Sequence, residues 1–181
     1  MIDGIILAGG KSTRMGTNKM LLMYKEHPLI WYTIQSLKPV VNRIIIVTGK
    51  YDNDIRKALK SEKVTFIYNE NFERGMFSSV QKGVSLVEGD FFIIPGDCPF
   101  VSRDTFKALL KGKGDIRVPA YQNSEGHPIF IKYKFKEELL KCSLDFNLKL
   151  FRDSKNYEII NVEDKNIVLN LNHLFDLEQL S

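Results

Sequence analysis

The chain has 181 residues, 44% of them hydrophobic and 27% charged, with a formal charge of +4. Length and balance fit one soluble globular domain, residues 1–181, large enough to bury a core. The modest charge slightly favours small anions, and without a dense basic stripe interleaved with aromatics it predicts no nucleic-acid partner.

In chain order, Gly4–Ala8 reads as a buried strand, Pro28–Leu37 as a helix and Arg43–Thr48 as a strand. A helix over Asp54–Leu59, a strand over Val64–Tyr68 and a helix over Met76–Leu86 follow. Then come a strand at Phe91–Ile94, a helix at Arg103–Leu110, strands at Ile116–Pro119 and Ile129–Lys132, and a helix at Phe135–Leu140. Cys142–Ser154 reads as a polar helix, with short strands near Glu158–Val162 and Asn166–Leu169 and a terminal helix from His173. Near-continuous apolar runs such as Arg43–Val47 suit strands covered on both faces. Their alternation with helical patterns predicts a three-layer α/β domain with a doubly wound, mostly parallel sheet. Ligands in such sheets bind outside the carboxyl ends of the strands, so the loops after Ala8, Tyr68 and Ile94 draw the functional reading.

Cys98 and Cys142 form no CxxC pair, which argues against a zinc site or disulfide framework. No apolar run nears the roughly 20 residues of a bilayer span, and the first residues lack the features of a signal peptide. The expectation is a cytoplasmic protein without a membrane partner.

Four strings carry chemistry. In Leu7–Lys19, Ala8, Gly9, Gly10 and Gly16 surround two hydroxyls, Ser12 and Thr13, and three cations, Lys11, Arg14 and Lys19. Glycines let backbone N–H groups approach an anion, and cations beside them suit a polyphosphate. The alternative is a plain βα turn; neither the Walker A loop nor GxGxxG is present. In Ile93–Val101, Asp97 stands at a strand tip, either as an oxygen ligand for Mg²⁺ or as an Asx turn before the next helix. In Asn69–Gly83, Gly75, Met76, Ser78 and Ser79 open a helix, suited to a nucleobase edge or phosphate, or to ordinary capping. In Gly126–Phe130, His127 and Pro128 lead into an apolar strand, either as structure or facing an acceptor.

The first string resembles the L-A-G/A-G-x-S-x-R-M-G-x-x-K signature of the MobA-like nucleotidyltransferases, and every fixed position is met. The other strings are similar to that family's G-D-x-P, N-x-x-aromatic-x-x-G-M-x-x-S and H-P elements. The resemblance implies a Rossmann-like fold of the nucleotide-diphospho-sugar transferase type. It also implies transfer of a nucleoside monophosphate from an NTP to a phosphorylated acceptor, with release of pyrophosphate. Arg14, Lys19 and Asp97 are then the catalytic residues, with Mg²⁺ on Asp97 and Asn172. Leu7, Ala8, Gly9, Gly10, Ser12, Gly16, Gly75, Met76, Ser78 and Ser79 enclose the nucleotide, and His127 and Pro128 face the acceptor. The Gly75–Val80 stretch is closer to the cytidylyltransferase (MocA-like) branch, which favours CTP and molybdopterin. Gly9 is closer to the GTP-using branch. A sugar phosphate as acceptor, or a nucleotide-binding module without turnover, are the alternatives. A molybdoenzyme or chaperone receiving the product is the further partner implied. The closing motif is worn, with His173 and Leu174 where the family has Thr and Pro, and Asn147 and Lys149 stand where many relatives have Gly and Arg.

Overall fold

A computed structural model describes residues 1–10 and 18–169. Its ten strands among those residues are β1 Ile2–Ala8, β2 Met23–Tyr24, β3 His27–Pro28, β4 Arg43–Thr48, β5 Thr65–Tyr68, β6 Asp90–Pro95, β7 Ile116–Tyr121, β8 Ser124–Glu125, β9 Ile129–Ile131 and β10 Glu158–Asn161. The helices are α1 Leu29–Leu37, α2 Asp52–Ala58, α3 Met76–Ser85, α4 Arg103–Lys111, α5 Lys136–Lys141 and α6 Leu148–Asp153.

Successive side chains on a strand point to opposite faces, so an unbroken apolar run must be covered on both. Ile6 and Ala8 of β1, Ile44 and Ile46 of β4, and Phe92 and Ile94 of β6 share one core with Ile34 of α1, Ile55 of α2 and Phe106 of α4. Their neighbours Ile5, Leu7, Ile45, Val47, Phe91 and Ile93 enter a second core with Val80 and Val84 of α3, Leu139 of α5 and Phe151 of α6. Three layers follow directly from this two-sided burial.

The main sheet runs in the order β10-β7-β9-β6-β1-β4-β5, with β8 paired to β7. The pairs β1/β4, β1/β6, β4/β5 and β7/β10 are parallel. β9 lies antiparallel between β6 and β7. Its connection from β7 is a short excursion through β8, and a parallel return needs a crossover of a dozen or more residues, so reversal is forced.

Several sequence expectations are corrected. The segment Asn166–Leu169 is not a strand: Lys165–Val168 is a 3-10 turn. The Asp164 carboxylate explains it, accepting from Asn166 N (3.0 Å), Ser102 N (2.7 Å) and Thr105 Oγ1 (2.8 Å) and so curling the chain onto the start of α4. The helix expected over Cys142–Ser154 is confined to Leu148–Asp153, where Asn147 accepts from Leu150 N and caps it. The β2–β3 hairpin was not foreseen; its turn puts Lys25 at φ 52°. The terminal helix expected from His173 lies outside the described residues. Among those residues no helix is long and apolar enough to cross a membrane.

Candidate active site

From β1 the chain passes to β4 and β5 on one side, then returns to β6 on the other side of β1. The loops leaving β1 and β6 therefore diverge at the switch point of the sheet, where an open α/β fold has its ligand crevice. Leu7 and Pro95 are paired at that edge. Leu7 and Ala8 send their side chains into the two cores, which leaves only their backbone to meet a ligand.

Gly96 holds the β6 loop tight. Its N–H donates to Leu7 O at 3.0 Å, its carbonyl accepts from Thr33 Oγ1 at 3.0 Å, and a Cβ there would come within 2.7 Å of Met20 Sδ. This delivers Asp97, only 8% exposed, to the crevice. Lys19 arrives from the other side on the 3-10 turn Lys19–Leu21, which Asn18 caps by accepting from Met20 N. Lys19 Nζ forms an ion pair with Asp97 Oδ2. The Nδ2 of buried Asn18, next to this cation, has no hydrogen-bond partner among the described residues. Arg14, Ser12, Gly16 and Asn172 lie outside the described residues.

The third string forms a second wall. Asn69 is buried at the end of β5, with its N–H on Thr48 O (3.0 Å). Its Nδ2 donates to Ser78 Oγ at 2.8 Å and Ser79 Oγ at 3.0 Å. Ser78 Oγ also lies 2.7 Å from Gly75 O and 2.8 Å from Asn71 O, so this hydroxyl is engaged inside the loop. Gly75, at φ 104°, takes a backbone conformation that side chains rarely adopt and turns the chain into α3, where Met76 stands exposed. A Cβ on Gly9 would lie 2.7 Å from Ser79 Oγ, and one on Gly49 would lie 2.8 Å from both Gly9 O and Phe72 Cβ. The ends of β1 and β4 and the start of α3 thus meet in a floor that admits no larger residue. Asn69 and Gly49 were missed as individual contributors: Asn69 stood in the quoted string, but only the fold reveals its hold on both serines.

His127 sits just before β9, and since β9 is antiparallel this is the same edge as Asp97. Its N–H donates to Ile167 O at 2.9 Å. Burial pushes the imidazole pKa below its ordinary value; Asp97 pulls it back up and Arg152 adds to the depression. Pro128 is buried behind it. Cys98 is buried, and burial with the Asp97 charge beside it raises the thiol far above its usual range, which makes it inert packing. A cavity of about 800 Å³ opens beyond His127, lined by Glu125, Lys149, Arg152 and Tyr157 among others. Arg152 escaped the sequence reading because an arginine in a polar helix looks like any solvated charge.

A family model described as the MobA-like NTP transferase domain matches residues 4–158. The chain belongs to that family. Its class is therefore nucleotidyltransferase, and the Lys19, Asp97 and His127 positions all fall inside the matched span. The chain is 27% identical over 174 residues to the molybdenum cofactor cytidylyltransferase of Escherichia coli K12, covering 94% of this chain and 90% of that protein. It is 29% identical over 206 residues to a probable molybdenum cofactor guanylyltransferase of Natranaerobius thermophilus, covering 98% and 94%. Among solved structures, Rv0371c of Mycobacterium tuberculosis H37Rv superposes with a TM-score of 0.87 at 24% identity, over 99% of this chain and 96% of that one; a manganese complex of Rv0371C gives 0.82 at 21%, over 99% and 97%. Asn172 falls beyond the family match.

Proposed function

We propose that this chain transfers a nucleoside monophosphate from an NTP, CTP by preference, to the phosphate of molybdopterin. An acceptor phosphate oxygen attacks the α-phosphorus, the bond to the bridging oxygen of the β-phosphate breaks, and pyrophosphate leaves with the electron pair. The acceptor phosphate is already ionised near pH 7, so positioning and charge neutralisation carry the reaction without a strong general base.

The observation that carries this reading is the meeting of Lys19 and Asp97 at the switch point. With a triphosphate bound, Lys19 would leave that pairing for the α-phosphate oxygens and Asp97 would hold the accompanying cation. Among the described residues no group of three His, Cys, Asp or Glu is placed to hold a metal. One carboxylate fits Mg²⁺ nevertheless, because that ion keeps several waters and is bound by one or two carboxylates plus substrate phosphates. The manganese complex of Rv0371C supports a divalent cation in a protein of this fold. Mg²⁺ on Asp97, with Asn172 as second ligand, would neutralise phosphate charge. Arg14 takes the β- and γ-phosphates. The backbone of Leu7, Ala8, Gly9 and Gly10, with Ser12 and Gly16, cradles the nucleotide, and Gly75, Met76, Ser78 and Ser79 close over it. His127 and Pro128 position the acceptor.

Residues 1–181 work as one domain in the cytoplasm, and the product passes to a molybdoenzyme or its chaperone. GTP is the second reading, favoured by Gly9: the alanine of the L-A-A-G variant would lie 2.7 Å from the Ser79 hydroxyl and require it to turn away. Pyrophosphate release with CTP and GTP in parallel, with Mg²⁺ and with or without molybdopterin, tests the proposal. Release with CTP only when molybdopterin is present is expected. Release with GTP alone moves the donor to the second reading, and silence with both refutes the acceptor.

A further inference from the structure

Asn18 carries an atom that its visible task does not need. It is the N-cap of the 3-10 turn Lys19–Leu21, with Oδ1 accepting from Met20 N at 3.1 Å. Met20 N is a donor, so the atom facing it is oxygen and the amide cannot be flipped to relieve its nitrogen. Asn18 is only 6% exposed, and its Nδ2 is closed off from solvent with no hydrogen-bond partner among the described residues. Native proteins pair almost every buried donor, and an orphan calls for a reason. Capping supplies none: serine or aspartate caps a helical turn as well as asparagine does and brings no amide. The place of the turn supplies one. Met20 is buried between the loops leaving β1 and β6: a Cβ on Gly10 would lie 4.0 Å from its Cε, and one on Gly96 2.7 Å from its Sδ. Asn18 directly precedes Lys19, whose Nζ pairs with Asp97 in the crevice between those loops.

We infer that Asn18 is a triphosphate-binding residue whose Nδ2 donates to a phosphate oxygen when the crevice is filled. The inference rests on the reading that an NTP occupies this crevice, and goes beyond it by naming a neutral donor beside the cation. A phosphate oxygen fits that donor, since it accepts without donating and its charge strengthens the bond. Away from water the bond meets little competition from solvent. The amide and Lys19 divide the work. An ammonium is a point charge that serves an oxygen from many directions, whereas the amide nitrogen has one orientation, set by the cap on its other atom. The same side chain thereby fixes the turn that presents Lys19 and contributes a directed donor of its own. The unpaired donor destabilises the empty site, and binding offsets that cost; functional sites commonly hold such a trade between stability and activity.

The test sets Asn18→Ser and Asn18→Ala beside the wild type, all as full chains. Two quantities are read for each: the melting temperature of the ligand-free protein, and the affinity for Mg²⁺-CTP and Mg²⁺-GTP by calorimetric titration. Serine keeps a capping oxygen and removes the orphan donor, so ligand-free Asn18→Ser is expected to melt at or above the wild-type temperature. Its triphosphate affinity is expected to fall about tenfold, the loss of one hydrogen bond to a charged group. Asn18→Ala loses the cap as well and should melt lower, with an affinity close to that of Asn18→Ser. Every nucleotide the wild type binds should lose by the same factor, because the phosphate chain is common to both. A purely structural cap predicts the other order, with serine like the wild type in both quantities and alanine low in both. That order would overturn the inference, as would an Asn18→Ser protein that fails to fold or loses stability and affinity in step. A loss confined to one of two bound nucleotides, or a wild type that binds no triphosphate, would also overturn it. Should Asn18→Ala fail to fold, the opposite movement of stability and affinity in Asn18→Ser decides alone. A wild type that binds triphosphate yet releases no pyrophosphate with molybdopterin refutes the transfer reading alone, and the order among the variants still decides the role of Asn18.

Discussion

At Gly9 a single methyl group would meet a neighbouring hydroxyl. An alanine Cβ would stand 2.7 Å from Ser79 Oγ, and that hydroxyl is tethered by Asn69 at 3.0 Å. Gly9→Ala is therefore expected to weaken NTP binding, and Ser79→Ala on top of it should recover most of the loss, because the two residues share one volume. Titration of CTP and GTP against the single and double variants checks this; additive losses would contradict the shared volume. His127 gives a second residue-scale expectation. Its pKa is held below the ordinary 6.5 chiefly by burial. Above 6.5 both folded and unfolded chains carry it neutral and it costs nothing. As pH falls below 6.5 the unfolded chain takes up the proton first, so stability declines until the folded-state pKa is reached. Urea midpoints at pH 7 and pH 5.5 should fall further apart in wild type than in His127→Gln; equal falls would remove the burial account. That Gly9 and Asp97 stand just past strand ends could be read from the sequence, because each follows a long apolar run. The grip of Asn69 on both serines could not, since it depends on how a strand end meets a helix start.

Between elements, the turn Lys165–Val168 shows where sequence reasoning ran out. Asn166–Leu169 carries the β-branched apolar pair Ile167–Val168 that favours a strand, but three hydrogen bonds to the Asp164 carboxylate outweigh that weak preference and tie the turn to α4. The turn then supplies Ile167 O to the His127 N–H. Asp164→Ala should cost about 2 kcal/mol for the buried donors left unpaired. It should also raise the acceptor KM more than the NTP KM, because the backing of His127 loosens. Equal changes in the two KM values would argue against that link. The long apolar runs of β1, β4 and β6 were legible because burial on both faces leaves no polar residue in the pattern. The reversed direction of β9 was not, since the apolar run Ile129–Ile131 is blind to direction and only the shortness of its connection reveals it.

Over the whole molecule the two edges of the sheet divide the work. The carboxyl edge gathers Lys19, Asp97, Asn69 and His127, while the amino edge carries a buried charge network. Asp3 is fully buried, its oxygens accepting from Arg43 Nε and Nη2 at 3.1 Å each and from Glu88 N at 2.8 Å. Asp3→Ala leaves Arg43, 30% exposed, still paired with Glu88, so the loss is that of the unpaired donors, about 2 kcal/mol. Asp3→Ala should lose that much stability to urea yet keep the wild-type kcat at a temperature where it stays folded. A lowered kcat in that folded variant would mean that the two edges are coupled.

The central claim is that Asp97 serves the reaction and not the fold. The measurement that tests it most directly is the rate of Mg²⁺-dependent pyrophosphate release by Asp97→Ala, taken beside its melting temperature. The expected result is a rate lower by roughly 100-fold or more, the scale of losing one electrostatic stabiliser of the transition state, with the variant still folded and melting cooperatively above the assay temperature. Undiminished release, or a loss of rate matched by a loss of the fold, would contradict the claim.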